Sequence, residues 1–135
     1  MRKLLSTKYS AGAFNAAMLF LRLGVGVLMI NHGYDKLVNF SKYQPEFMNF
    51  LGLGSSVSLS LVVFAEFFCA IFLVLGLFTR LAAIPLIIAT CVMVFMAHKG
   101  DILGDGETAA IYLSAYLVLF FVGPGRISID SMIGK

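Results

Sequence analysis

Charge is what this chain has least of. Asp, Glu, Lys and Arg make up 13% of its 135 residues, where a soluble domain carries about 25%. With 60% of residues hydrophobic and a mean hydropathy of +0.95, that scarcity excludes a soluble fold and marks a membrane protein. The chain also lacks a linker, a repeat and any low-complexity stretch, so it reads as one domain over residues 1–135. It has no glycine-rich phosphate loop and no Ser or Cys nucleophile signature. The two cysteines, Cys69 and Cys91, do not form a Cys-x-x-Cys pair. They read as small apolar packing residues near mid-span, with a redox pair across two helices as the sharper alternative. No His, Cys or carboxylate spacing fits a metal site, so no metal is expected; haem between His32 and His98 has equally little support.

Four apolar runs are present: Ala11 to Ile30, Ser58 to Phe78, Leu81 to Ala97 and Ala109 to Val122. A helical span takes roughly 17–25 residues, so the first two qualify outright and the others must borrow flanking residues. Backbone groups in lipid are satisfied within helices. The expected fold is therefore all-α, a membrane-spanning up-down-up-down four-helix bundle. The hairpin between the second and third runs is expected to turn at Thr79 and Arg80, with Pro85 in the first turn or so of the third helix, where its missing N–H costs little. The first outer loop, about Asn39 to Val57, places Tyr43, Phe47, Phe50 and Leu51 at helical spacing. It reads as a short interfacial segment or as a plain loop packed on the bundle, with Ser58 as the N-cap of the next helix.

A cleavable signal peptide is rejected for the N-terminus. Its apolar run exceeds the ~7–15 residues of a signal core, and the small residues at Ala11-Gly12-Ala13 precede that run. Lys and Arg divide six to three between the two faces if the N-terminus is inside: Arg2, Lys3, Lys8, Arg80, Arg126 and Lys135 against Lys36, Lys42 and Lys99. The positive-inside bias then puts both termini in the cytoplasm. The net charge of +3 is thus a topology signal and gives no reason to expect nucleic acid as a partner.

Only Arg22 and Glu66 place charge inside the long runs. A charge in hydrocarbon costs at least about 2.5 kcal/mol on insertion scales, so each needs a partner, and opposite signs on neighbouring spans make them candidates for one another. Depth counted from Phe14 and Ser58 leaves roughly 6 Å between them along the axis. Such a pair would either fix helix register or line a working site. At about 100° per residue, Arg22, Met29 and Lys36 share one face with Gly26 and Gly33 beside it, and His32 is marginal to it. Small residues permit close helix approach in lipid, so this face is expected to point inward. Further polar groups gather at the outer ends: His32 and Lys36, His98 and Lys99, Glu107, and Tyr112 a turn or so below it. Taken singly they read as interfacial residues; together with Arg22 and Glu66 they would line an outward polar pocket.

The pattern Arg22-Leu23-x-x-Gly26, His32-Gly33-x-x-Lys36-Leu37, Glu66, Leu75-Gly76-Leu77-x-Thr79-Arg80 and Gly123-Pro124-Gly125-x-x-Ser128-x-Asp130 resembles the DoxX family of small bacterial membrane proteins. The resemblance runs over nearly the whole chain. It implies four transmembrane helices in the bacterial cytoplasmic (inner) membrane, and it marks Arg22, His32, Lys36 and Glu66 as family-type polar positions; His98 and Glu107 come from the residue reading alone. It also implies a link to oxidoreductase complexes that handle quinones or thiols.

Three functions follow. The first is a membrane component of a redox system, an oxidoreductase subunit whose polar pocket takes a quinone headgroup or small oxyanion, working with a redox-protein partner or as a homo-oligomer. The second is a non-enzymatic scaffold that docks a partner through the aromatic first loop. The third, small-solute transport, is disfavoured by four short helices without an inverted repeat.

Overall fold

A computed structural model describes residues 2–46, 52–97, 103–104 and 106–133. Every regular element among them is helical: α1 (Arg2–Leu5), α2 (Ala11–Val38), α3 (Phe40–Tyr43), a 3-10 turn at Gln44–Glu46, α4 (Ser55–Val63), a π-helical segment Phe64–Cys69, α5 (Ala70–Leu75), α6 (Thr79–Val92), a second π-helical segment Met93–Ala97, α7 (Glu107–Val122) and α8 (Ile129–Ile133). Two helices, Ala11–Val38 and Ser55–Leu75, are long and apolar enough to cross a membrane; Thr79–Phe95 and Glu107–Val122 are apolar but shorter.

The first long helix begins where Ser10 accepts the Ala13 N–H at 3.0 Å, an N-cap that satisfies one of the four orphan donors of a helix start. It buries Met18, Arg22, Gly26, Met29 and Gly33, a stripe spaced by three and four residues as one helix face requires. The inward face expected from the helical wheel is the face the protein buries. Against it lies the second long helix, running the opposite way: a Cβ on Gly26 would meet Val74 and the Ala70 carbonyl, and one on Gly33 would meet the Glu66 backbone.

Helix α4 starts three residues earlier than expected. Gly54, at φ +91°, is the residue before it, and Ser58 sits one turn inside, donating its hydroxyl to the Gly54 carbonyl at 2.6 Å. The hairpin also turns earlier, at Gly76 to Phe78. Gly76 takes φ +70°, and the Leu77 N–H closes back on the Phe72 carbonyl at 2.9 Å, a glycine-based helix stop. Thr79 and Arg80 are therefore the first residues of α6, and Pro85 lies inside that helix, in its second turn, where the Leu81 carbonyl loses its usual donor.

At the end of α2, Asn39 Nδ2 donates to the Asp35 carbonyl and carboxylate, each at 3.0 Å, and the Tyr43 hydroxyl donates to the same carboxylate at 2.6 Å. That bond holds the half-buried Tyr43 phenol above its ordinary range and ties the chain down as it leaves the long helix. Phe47, Phe50 and Leu51 of the expected interfacial segment lie outside the described residues. Both cysteines are free thiols: Cys69 is buried in the core with Ala70 and Leu73, and Cys91 is half-buried.

Candidate functional site

The two intramembrane charges do not meet. Arg22 is 1% exposed, and its Nη1 donates to the carbonyls of Leu73 and Val74 at 3.5 and 3.3 Å. Its Nη2 donates to the carbonyl of Ile127. Leu73 and Val74 belong to the last turn of α5, where carbonyls run short of intrahelical donors; Leu73 accepts the Gly76 N–H at 3.1 Å besides Arg22, and a cation there also complements the helix dipole. Arg22 therefore acts as a side-chain cap on α5 that also grips the C-terminal segment. The expected Arg22–Glu66 pair fails on register. Gly33 is the residue of α2 level with Glu66, and it stands eleven residues beyond Arg22, about 16 Å along the axis.

The C-terminal segment completes this end of the molecule. Asp130 accepts the Phe78 N–H at 2.6 Å and the Thr79 N–H at 2.8 Å, placing a carboxylate on the start of α6, where negative charge is favoured. Its own N–H donates to the Gly76 carbonyl at 2.8 Å. A Cβ on Gly76 would run into the Arg22 guanidinium and Ser128, which explains a glycine between these groups. Arg80 repeats the device on α7, donating to the Val122 carbonyl at 3.2 Å. Sequence reading named the Gly-Pro-Gly and Ser-x-Asp residues only as part of a resemblance and missed this role.

Glu66 has a different partner. Lys36 Nζ donates to Glu66 Oε1 at 2.6 Å, with side-chain exposures of 19% and 6%, and this is the one ion pair among the described residues. Lys36 is one helix turn beyond Gly33, the residue that brings α2 against the Glu66 backbone. Glu66 lies in the π-helical segment Phe64–Cys69, and such insertions recur at functional sites because they re-aim side chains.

Beside this pair is a pocket of about 120 Å³ whose polar lining includes His32, Lys36, Glu66, Thr90 and Tyr112, with Met29 and Met93 among its apolar walls. The His32 and Tyr112 rings meet edge to face at 6.0 Å, and Tyr112 stacks on Tyr116 at 6.0 Å. The Tyr116 hydroxyl donates to the Val25 carbonyl at 3.1 Å, which ties α7 to α2 below the pocket. Thr90 donates back to the Leu86 carbonyl of its own helix at 2.8 Å. Among the described residues no donor reaches Glu66 Oε2, and the Tyr112 hydroxyl has no acceptor. The pocket thus offers a spare carboxylate oxygen, a phenol, an imidazole and an ammonium against thioether and methyl walls.

Of the residues expected to form an outer polar pocket, His32, Lys36, Glu66 and Tyr112 come together here. Arg22 is at the other end of α2. Glu107 is exposed in the first turn of α7 and does not line the pocket, whose α7 walls are Thr108, Ala109 and Tyr112. His98 and its neighbour Lys99 lie outside the described residues. Thr90 was missed, although a lone hydroxyl within an apolar run was a visible signal.

Comparison with known proteins adds two findings. The DoxX family model matches residues 17–99, a stretch that holds Arg22, His32, Lys36 and Glu66 but neither Tyr112 nor Asp130. A protein of Haemophilus influenzae described as "Uncharacterized protein" is 30% identical over 128 residues, covering 87% of this chain and 91% of its own length. No solved structure matches the chain.

Proposed function

This chain belongs to the DoxX family of membrane proteins, and from that membership and the pocket at Lys36 and Glu66 we propose that it is the membrane subunit of a quinone-linked redox system. In this reading residues 1–135 form one domain in the bacterial inner membrane. The four apolar helices cross it up, down, up, down, and both termini are cytoplasmic. The pocket then opens toward the outer face.

The observation that carries the reading is the Lys36–Glu66 pair, largely covered beside an amphipathic pocket, with a carboxylate oxygen and a phenol that have no partner among the described residues. An apolar cleft with a few convergent polar groups is the usual form of a small-molecule site. A quinone ring has apolar faces and two carbonyl oxygens that accept hydrogen bonds. At about 120 Å³ the pocket is smaller than the roughly 150 Å³ cavity that accommodates benzene, so it takes one carbonyl edge of that ring and leaves the far edge and the isoprenoid tail in lipid. Lys36 and Tyr112 donate to one carbonyl oxygen, and Glu66, exchanging protons with His32 at the exposed edge, serves as the proton carrier. Reduction to the quinol consumes two electrons and two protons; a partner redox protein supplies the electrons, and this chain's residues bind, orient and protonate.

The test is binding of a short-chain benzoquinone to the purified protein, followed by fluorescence quenching or calorimetry. Lys36→Met and Tyr112→Phe are expected to weaken binding about five- to tenfold, the effect of losing one hydrogen bond of roughly 1–1.5 kcal/mol. Unchanged binding in both variants would remove the pocket from the mechanism.

A further inference from the structure

At the end of the molecule opposite the Lys36 pocket, where α2 begins and α7 ends, lies a larger cavity of about 320 Å³ between Tyr9, Phe14, Asn15, Val122, Gly125 and Arg126. The chain constructs it. Gly125, at φ +82°, bends the segment after α7 against α2, so closely that a Cβ there would lie 3.1 Å from the Met18 Cβ. The next residue, Arg126, then donates its backbone N–H to Asn15 Oδ1 at 2.9 Å. The Arg126 backbone is thus pinned to the second turn of the long helix while the residue itself is exposed.

Among the described residues no carboxylate pairs with Arg126. The acid of the same segment, Asp130, is committed to the Phe78 and Thr79 N–H groups, and the one ion pair among the described residues is at the other end. Exposed Lys8 adds a second cation next to Tyr9. The remaining walls are apolar: the Tyr9 and Phe14 rings lie 5.8 Å apart, and Val122 faces them across the cavity.

We infer that this cavity binds the phosphate headgroup of an anionic phospholipid. The phosphate diester lies against Arg126, and the glycerol and first acyl carbons run along Phe14 and Val122 into the bilayer. Arginine suits the phosphate because its planar fork donates to two oxygens at once. The apolar wall selects a lipid over inorganic phosphate, to which it offers nothing. The level is also right, since the long helix starts at Ala11 and headgroups sit at the ends of the spans. The inference rests on this cavity alone and is independent of the quinone reading.

Native mass spectrometry of the full-length protein, titrated in detergent with phosphatidylglycerol or phosphatidylcholine, tests it. Phosphatidylglycerol is expected to be retained in preference. Arg126→Ala should weaken its retention about fivefold, the usual worth of one basic residue at an anionic surface, and Arg126→Glu should weaken it further. Asn15→Ala, which only frees the Arg126 backbone, should weaken it less than Arg126→Ala does, and Lys42→Ala at the opposite end should leave it unchanged. Equal retention of both lipids, equal losses in Lys42→Ala and Arg126→Ala, or displacement of the lipid by millimolar inorganic phosphate would each overturn the assignment.

Discussion

Replacing Arg22 with leucine is expected to destabilise the protein by roughly 2–6 kcal/mol, because it removes the donor from two part-buried carbonyls, those of Val74 and Ile127, at about 1–3 kcal/mol each. The acceptors are the carbonyls of Leu73, Val74 and Ile127; of these, Leu73 keeps a second donor in the Gly76 N–H at 3.1 Å. Leucine restores much of the volume, so the loss reports hydrogen bonding more than a cavity. The effect should also be local. Arg22 holds the C-terminal segment through its hydrogen bond to the Ile127 carbonyl, so limited proteolysis beyond Gly123 should accelerate before the long helices melt. Thermal unfolding in detergent, followed by far-ultraviolet circular dichroism, gives the global figure. Lysine at the same position keeps the charge but reaches fewer acceptors, so Arg22→Lys should fall between leucine and the natural residue. A leucine variant with an unchanged midpoint would mean that the guanidinium does not secure this end of the molecule.

The second large effect is expected at Gly33. A Cβ there would lie 2.6 Å from both the Glu66 carbonyl carbon and the Phe67 nitrogen. Those are backbone atoms, so no rotamer change relieves the clash, and the two helices must separate or the π-helical segment must reorganise. Overpacking of this kind costs about 1–3 kcal/mol, and Gly33→Ala should show it as a lower unfolding midpoint. The same shift carries Glu66 away from Lys36, one turn further along α2, so quinone binding should fall with stability. Gly24 is the control. It sits on the same helix with nothing within 4 Å of an added Cβ, and alanine there should be neutral or stabilising by up to about 1 kcal/mol, the helix-propensity difference from glycine. Equal losses at both positions would show that the close approach at Gly33 contributes no stability.

Much of this was legible in the sequence, and what was not has a common cause. The inward face of α2 could be read because periodicity survives any error in where the helix starts: Met18, Arg22, Gly26, Met29 and Gly33 lie on one side however the ends are drawn. Pairing across helices depends on register, and register was measured from the edges of apolar runs. The helix continues eight residues beyond its first run, to Val38, and α4 begins three residues ahead of its own, so the edges were not level with one another. That error placed Arg22 beside Glu66 and hid Lys36, which looked like an interfacial lysine. Arg22's true acceptors were invisible for a different reason. They are backbone carbonyls, present at every residue, and only the fold shows that those of Leu73 and Val74 at the end of α5, and that of Ile127 in the returning C-terminal segment, converge on one guanidinium. Asp130 and Ser128 were noticed as pattern, but the Asp130 carboxylate at the start of α6 and the Ser128 hydroxyl that accepts the Ser131 N–H at 3.2 Å at the start of α8 appear only once the C-terminal segment is seen to fold back.

The assignment of Glu66 to Lys36, with Arg22 acting separately on the C-terminal segment, is tested most directly by two double-mutant cycles on unfolding free energy. The first combines Lys36→Met with Glu66→Gln, and the second combines Arg22→Met with Glu66→Gln. A contacting charged pair at this depth should couple by about 1 kcal/mol or more, whereas separated sites add to within about 0.5 kcal/mol. Strong coupling in the first cycle and additivity in the second is the predicted result. Additivity for Lys36 and Glu66, together with coupling between Arg22 and Glu66, would contradict it.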